Sequence, residues 1–370
     1  MENTVTNDLS GLKRPGETTA YDQWLADEGI PVIGGYAIED LNQVPLEPWK
    51  RKGGKGAMIN LAGHEQSNDA YVCEIPPGGR LNPQKHLYEE AILILGGRGA
   101  TTVWNEGGPK QTFEWSRWSL FSIPLNAWHQ HFNGQGEEPA RYFAVTGAPS
   151  MISQFHNLDF IFNNSYVFKD RFSGEENYFG GSGVLEDVSS AGKGNRKVWK
   201  TNFIPDVTSF KLYEWKEKGA QSYVALDMTG NTLGAHISEI PVASYVKAHR
   251  HGPGANVTIV DGQGYTLMWL EGQPKMKVPW RTGSLVVPPG NWFHQHFNTG
   301  RTPARQVALR WGTMKHPVGK QWRLGQSVKT GGDMIEYEDE DPEVRQMYET
   351  EIVRNGLKIQ MPPIRREPAK

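Results

Sequence analysis

Four histidines in the second half of the chain are spaced as ligands of a metal ion would be. His249 and His251 are separated by one residue, and His294 and His296 repeat that spacing downstream. In a β-strand, residues i and i+2 point to the same face, so each pair can face one interior. His249, His251 and His294 can therefore occupy one face of an octahedron and leave positions open for other ligands. His296, with the parity of His294, is a candidate catalytic residue, and the ordinary alternative is a histidine bonded to a backbone carbonyl.

The same pattern occurs earlier in the chain at a constant offset. The residue numbers differ by 165 for His86 and His251, for His129 and His294, and for His131 and His296. Glycines, prolines and tryptophans of the two regions keep this offset, and upstream tryptophans match at 166. One offset held across a whole motif indicates an internal duplication of a domain of roughly 100 residues.

The earlier copy offers a second set of candidate ligands. His86, Glu90 and His129 make a two-histidine, one-carboxylate set, which is itself a recognised iron triad. Gln84 stands where the later copy has His249. The residues leave two interpretations open, a second metal site or a structural copy without metal.

These residues carry a resemblance to the two-domain cupins, or bicupins. The first cupin motif joins a His-x-His pair to a Glu and a Gly, and the second joins Pro, His and Asn. The later copy has Ala255 in place of the Glu. Trp118 replaces the opening Gly of the second motif in the earlier copy, and Asn126 and Asn291 replace its inner Gly. Asn tolerates positive φ, so the resemblance implies two tandem jelly-roll β-barrels.

Among the bicupins, the chain is most similar to gentisate 1,2-dioxygenase-type ring-cleaving dioxygenases, because its complete His-x-His is followed by a small residue. The resemblance implies a non-haem Fe(II)-dependent dioxygenase that cleaves a small aromatic hydroxy acid or related phenolic substrate with O2. Mn and Ni are alternative metals, since three imidazoles suit several ions. Two other functions stay open: another metal-dependent bicupin enzyme (decarboxylase, isomerase or C–C cleaving oxygenase), or a non-enzymatic small-ligand-binding bicupin.

Three further residues are predicted to bind substrate. Tyr245 and Lys247 share the parity of His249 on an extended strand, so they are expected to face the same interior. Arg310 lies in the last apolar segment of the second copy and could hold a carboxylate with two hydrogen bonds.

Composition excludes several functional classes. The 370 residues carry 39 Lys and Arg and 41 Asp and Glu, a net charge of −2, so no basic field favours nucleic acid. Cys73 is the only cysteine, which rules out an intrachain disulfide. We expect neither a signal peptide nor a membrane span, because the first residues lack an apolar core and no apolar run reaches membrane length. We therefore expect a cytoplasmic protein without a membrane partner, and a homo-oligomer because bicupins commonly associate.

The predicted fold is mainly β, with short helical extensions at both ends. A helix is expected within residues 19–29, and Asp341-Pro342 and Gly356 suit the two ends of another. The basic residues Lys50, Arg51, Lys52 and Lys55 are interpreted as a solvated loop. The predicted limits are an N-terminal arm (1–39), a first cupin domain (40–148), a connector (149–200), a second cupin domain (201–318) and a tail (319–370).

Overall fold

The chain folds into two β-rich halves that repeat one architecture. The structure is a computed structural model that describes residues 18–189, 195–313, 315–316, 318 and 323–364. In each half a larger sheet faces a smaller one, as in a jelly-roll barrel. The expected fold class is thereby confirmed, whereas the predicted domain limits stay predictions.

The small sheet of the first half carries one of the metal-ligand candidates, His129, while Glu90 begins a strand of the large sheet and His86 lies in the loop before it. The small sheet has the order β10 (Trp128–Asn133), β7 (Arg98–Trp104) and β8 (Gln111–Ser116). In β10, buried and half-buried residues alternate, which turns His129 and His131 to the interior. The strands are β1 (Val32–Ile33), β2 (Ala37–Ile38), β3 (Glu47–Trp49), β4 (Gly54–Ile59), β5 (Asp69–Ile75), β6 (Glu90–Gly96), β7 (Arg98–Trp104), β8 (Gln111–Ser116), β9 (Leu120–Ile123), β10 (Trp128–Asn133) and β11 (Ala140–Thr146).

The second half repeats this arrangement with more strands. Its strands are β12 (Val184–Ser189), β13 (Asn195–Lys200), β14 (Phe203–Ile204), β15 (Tyr213–Glu214), β16 (Ser222–Asp227), β17 (Leu233–Ile240), β18 (Ala248–His249), β19 (Ala255–Asp261), β20 (Gln263–Trp269), β21 (Met276–Arg281), β22 (Leu285–Val286), β23 (Phe293–Asn298), β24 (Ala304–Trp311), β25 (Arg323–Ser327) and β26 (Gly332–Ile335). The small sheet has the order β21–β20–β23–β18–β26–β25. Strand β23 pairs with β20 as β10 pairs with β7.

Short strands cross between the halves and tie them together. Strand β2 pairs with β22 of the second half, and β14 pairs with β9 of the first. The large sheets share one apolar core between them, with buried residues from both halves: Leu93, Phe143, Val145, Leu226, Val307 and Leu309. Every residue of β6 from Glu90 to Leu95 is buried, because this strand is covered on both faces.

The turns confirm that unusual residues replace the motif glycines. Asn126 and Asn291 adopt φ of 59° and 64°, a conformation that Asn tolerates better than most residues. Trp118 adopts φ of 67°, in the position where Gly283 has 95°. The backbone of the duplicated turn is therefore retained although the residue types differ.

Four α-helices complete the fold in the described part of the chain: α1 (Ala20–Asp27), α2 (Ala148–Phe155), α3 (Leu158–Asn163) and α4 (Pro342–Arg354). The two expected terminal helices are confirmed. Asp341 caps α4 by accepting from the Glu343 amide, and Gly356 follows it at φ of 71°. Helix α4 packs over the outer face of the second small sheet. No helix of the described residues has the length and apolarity to span a bilayer.

Candidate metal centres

His249, His251 and His294, here called the C-terminal cluster, converge beside the inner face of the second small sheet. Strand β18 ends at His249, so His251 lies in the loop that follows and not on the same strand as predicted. Strands β18 and β23 pair so that His249 lies opposite His294. The ring centroids of His251 and His294 are 4.5 Å apart. One nitrogen from each imidazole lies within 4.8 Å of the other two. Three nitrogens this close can share one divalent cation.

The backbone holds each of these imidazoles in the tautomer that a metal ligand needs. Each Nδ1 lies near a backbone carbonyl oxygen, at 3.2 Å for His249, 2.7 Å for His251 and 3.2 Å for His294. A carbonyl oxygen only accepts, so Nδ1 carries the proton and Nε2 keeps its lone pair. This outer hydrogen bond also orients the ring, as it does in metal sites generally.

Burial keeps the C-terminal cluster neutral at pH 7. Burial, and then the charge of Lys218, lower the pKa of His249 well below its ordinary value. Burial, and then the charge of Arg310, lower the pKa of His251 to about 3. Neutral imidazole is the form that binds metal, so no proton has to leave first.

His86, Glu90 and His129, here called the N-terminal cluster, form a second group of convergent atoms. Their ligand atoms also lie within 4.8 Å of one another. The Glu90 carboxylate oxygen is 3.4 Å from His86 Nε2 and 3.5 Å from His129 Nε2. These three atoms are buried and have no hydrogen-bond partner. Unpartnered buried polar atoms that face one point are expected where a cation binds, so the residues fit a divalent metal.

Lys52 lies against the N-terminal cluster, which corrects the interpretation of the basic run as a solvated loop. Its side chain is 2% exposed, its ammonium donates to the Tyr71 hydroxyl at 2.6 Å, and it lies 3.9 Å from the Glu90 carboxylate. Burial alone would raise the pKa of Glu90, but Lys52 and then the two histidines hold it well below the ordinary value. Arg51 is also engaged, since it donates to Glu28 at 2.8 Å.

His296 lies on the same face of β23 as His294. Its Nδ1 is 2.8 Å from the Thr266 hydroxyl, which accepts from the Trp280 indole at 3.0 Å. Because the hydroxyl oxygen accepts from the indole, its own proton is available to donate to His296 Nδ1. The His296 proton is then on Nε2, which can donate to a group in the interior. The first half repeats this chain of contacts with His131, Thr101 and Trp115.

A cationic layer that sequence reasoning missed faces the C-terminal cluster. The Lys218 ammonium lies 3.0 Å from His249 Nε2. The Arg310 side chain points to the barrel interior, because its neighbour Leu309 faces the core between the halves. The Arg196 guanidinium lies 4.5 Å from the centroid of the Trp215 ring. Burial lowers the pKa of Arg310, Tyr223 partly offsets this, and the charge of Arg196 lowers the pKa further. Lys218 follows Lys52 by 166 residues, the offset that also relates Trp49 and Trp215. This repetition could have identified Lys218 as the equivalent of Lys52 from the sequence.

Tyr245 does not lie with the histidines, although it was predicted to share their face. It is fully buried, its ring stacks on Phe297 at 4.8 Å, and its hydroxyl donates to Glu340 at 2.8 Å. Phe297 alternates with His296 along β23, so Tyr245 lies on the opposite face, under α4. The parity argument fails because Tyr245 forms only an isolated bridge and β18 begins three residues later.

Lys247 is engaged elsewhere. Its ammonium pairs with Glu336 at 2.5 Å. Its backbone amide donates to the Lys218 carbonyl at 3.0 Å. The structure thus uses the Lys247 backbone to position Lys218, and places the Lys247 side chain against the tail.

Comparison with known proteins gives a likeness of architecture only. No family model and no curated protein matches the sequence. Solved structures of oxalate decarboxylase are similar, one with a TM-score of 0.49 and 12% identity over 75% of this chain and 77% of that chain. The Bacillus subtilis enzyme at pH 4.6 has a TM-score of 0.48 and 13% identity, over 76% of this chain and 77% of that chain. A structure of the same enzyme used to assign its Mn(II) centres has a TM-score of 0.47 and 13% identity, over 76% of this chain and 78% of that chain. Such low values transfer no reaction to the present chain.

The fold and the paired clusters define the class of protein. Two tandem double-sheet barrels, each beside a cluster of convergent ligand atoms, form the architecture that the resemblance to bicupins implies. The fold class is confirmed, while membership of the bicupin family stays a prediction. The finer resemblance to gentisate 1,2-dioxygenase-type enzymes rests on the sequence motifs and stays a prediction.

Proposed function

We propose that this bicupin is a metal-dependent enzyme whose working site is the C-terminal cluster, and that it acts on a small organic anion. The supporting observation is the convergence of three neutral imidazoles beside Lys218 and Arg310. His251, Lys218 and Arg310 are half-buried, so an anion can reach them. In contrast, each ligand of the N-terminal cluster is at most 2% exposed.

The metal proposed for this cluster is Fe(II), with Mn(II) and Ni(II) as alternatives. A bound divalent metal supplies Lewis-acid polarisation of substrate oxygens and, where it is redox-active, a path for electrons to dioxygen. The chain supplies the rest. His249, His251 and His294 hold neutral ligand nitrogens in place, and the cations beside them attract and orient the anion.

Oxygen-dependent cleavage of an aromatic hydroxy acid is the leading reaction. Ala255 supplies no carboxylate ligand where the first half has Glu90, so more of the coordination sphere is left for substrate and oxygen. His296, through its Nε2 proton, is the proposed hydrogen-bond donor to the reacting groups. Arg310 is the proposed partner of the substrate's carboxylate or phenolate.

Decarboxylation of a small carboxylic acid is the second candidate. It is favoured by one observation, the Lys218 ammonium at 3.0 Å from a cluster nitrogen, because a carbanion left by loss of CO2 needs a nearby proton donor. The two reactions differ in their need for oxygen, which makes them separable.

Metal content and gas exchange test the proposal together. Protein loaded anaerobically with Fe(II) or Mn(II) is mixed with gentisate, salicylate or oxalate, while oxygen uptake and CO2 release are followed. Oxygen uptake with a phenolic acid supports the dioxygenase, and CO2 release without oxygen uptake supports the decarboxylase. Metal in the wild type that is lost in His251→Ala but kept in His86→Ala locates the working cluster. Metal-loaded protein that consumes neither type of substrate contradicts the enzyme proposal.

A further inference from the structure

Lys52 and Lys218 occupy the same position in the two halves. The Lys52 carbonyl accepts from the Asn82 amide at 2.8 Å, and the Lys218 carbonyl accepts from the Lys247 amide at 3.0 Å. Asn82 and Lys247 are related by the duplication offset of 165. Each ammonium also lies over the tryptophan that precedes it, at 5.2 Å from the Trp49 ring and 5.0 Å from the Trp215 ring. The lysine is therefore a duplicated part of the site.

In the first half this lysine faces a carboxylate of the protein itself. Glu90 lies between Lys52 on one side and the two cluster histidines on the other. The Tyr71 hydroxyl donates to the same carboxylate. The N-terminal cluster therefore contains its own anion, held by the ammonium and directed to the point where the ligand atoms converge.

In the second half the lysine is kept and no carboxylate stands at the position of Glu90. The negative charge that acts on Lys218 comes from Asp333 of β26, outside the ligand positions. The residue 165 positions after Glu90 is Ala255, whose methyl group cannot fill the space of a carboxylate. Lys218 instead donates to His249 Nε2. A divalent cation at the cluster would take that lone pair and repel the ammonium, which would leave the ammonium available to an anion beside the metal.

We propose that a carboxylate of the ligand takes, in the second half, the place that Glu90 takes in the first. Lys218 is then a positioning residue that holds this carboxylate against the C-terminal cluster. The ligand class is a small carboxylic acid, and its other polar group faces Arg310. This inference rests on the proposed function only in identifying the ligand as a substrate, because binding itself needs no turnover.

The test is calorimetric titration of salicylate into protein loaded with Zn(II), which cannot transfer electrons. Salicylamide, which lacks the carboxylate, is the matched probe. Lys218→Met is expected to weaken salicylate binding about ten- to hundredfold, as for loss of a charged hydrogen bond, with unchanged zinc content and unchanged salicylamide binding. Lys218→Arg should recover part of the affinity. The equivalent change in the other half, Lys52→Met, should leave salicylate affinity unchanged.

Ala255→Glu gives the converse experiment. The new carboxylate should occupy the vacated place, so zinc is retained and salicylate binding is lost. Salicylate affinity equal to wild type in zinc-loaded Lys218→Met, or in Ala255→Glu, overturns the proposal. Absence of salicylate binding to the zinc-loaded wild type overturns it as well. None of these results decides the reaction, which the gas-exchange assays address separately.

Discussion

The two halves of the chain carry the same histidine positions and the same buried lysine, but they differ at two ligand positions. The first half has Gln84 and Glu90, whereas the second has His249 and Ala255. As a result, the first cluster contains an internal anion beside Lys52. The second contains three neutral imidazoles beside an ammonium. The first cluster thus has its counter-ion at a ligand position. In the second, burial lowers the pKa of Lys218 and the charge of Asp333, from β26 rather than from a ligand position, partly offsets that effect.

The two clusters also differ in the solvent exposure of their side chains. Lys52, Glu90 and His129 are between 1% and 2% exposed, so the N-terminal cluster is sealed. In the second half His249 and His294 are also buried, at 4% and 1% exposed, but His251 and Lys218 are half-buried. A buried charge pair contributes little to recognition of a small molecule, while an accessible cation beside a metal attracts anions. The difference suggests a structural role for the first cluster and a catalytic role for the second.

The largest expected effect comes from removing one ligand of the C-terminal cluster. His251→Ala should lower turnover at least about a hundredfold, because loss of even an outer-shell partner of a metal ligand costs ten- to hundredfold. His86→Ala should leave turnover within a few-fold of wild type. Elemental analysis and initial rates on both variants provide the measurement. Equal losses would mean that the halves work as one site.

The internal ion pair predicts a stability difference between the halves. Glu90→Ala leaves Lys52 buried without its counter-ion and should lower the free energy of unfolding by about 3 to 5 kcal/mol. Urea denaturation of the metal-free protein measures this change. The double variant Glu90→Ala with Lys52→Met should recover most of the loss, since both charges are then gone. A loss below about 1 kcal/mol would show that Lys52 is solvated after all.

Acid should weaken both halves through their buried histidines. The pKa of His131, His251 and His296 is lowered by burial to about 3, from an ordinary value of 6.5. As the pH falls, the unfolded chain takes up protons before the folded one does. Stability is therefore complete above pH 6.5 and is lost as the pH falls toward the folded pKa. Each histidine contributes at most about 1.4 kcal/mol per pH unit.

Thermal or urea unfolding of the metal-free protein should accordingly show a loss of about 3 kcal/mol from these three histidines between pH 6.5 and 5.5, about 1 kcal/mol from each. His131→Gln and His296→Gln should each reduce this slope by a similar amount, since the two residues are equivalent across the duplication. A stability that is flat over this interval would contradict the neutral, buried state of these imidazoles.

The smallest effect is expected from making the first half more like the second. Gln84 forms an isolated bridge with His129, in the register that His249 has with His294. Gln84→His should therefore add a nitrogen ligand and raise the metal affinity of the N-terminal cluster roughly tenfold. The measurement is chelator competition in a His251→Ala background. Gln84→Asn, with no imidazole, is the control that should leave affinity unchanged.

Much of the fold and of both clusters was predictable from the amino-acid order. A constant offset of 165 between His86 and His251, and between His129 and His294, established two copies of one domain. The two-residue period of a strand then placed His294 and His296 on one face. Local capping chemistry also located α4, since Asp341 and Gly356 act on adjacent backbone groups. Each of these signals depends on residues close in sequence or on exact repetition.

The features that only the tertiary structure decided depend on long-range contacts. Lys52 lies in a polar segment that resembles a solvated loop, yet folding brings its ammonium against Glu90. Tyr245 has the parity of His249, but Tyr245 forms only an isolated bridge and α4 covers the opposite face. Strand period propagates only along continuous strands, and burial of a charge depends on which distant group meets it. The duplicated positions were therefore readable in the chain, while the charge that distinguishes the two clusters was set by packing.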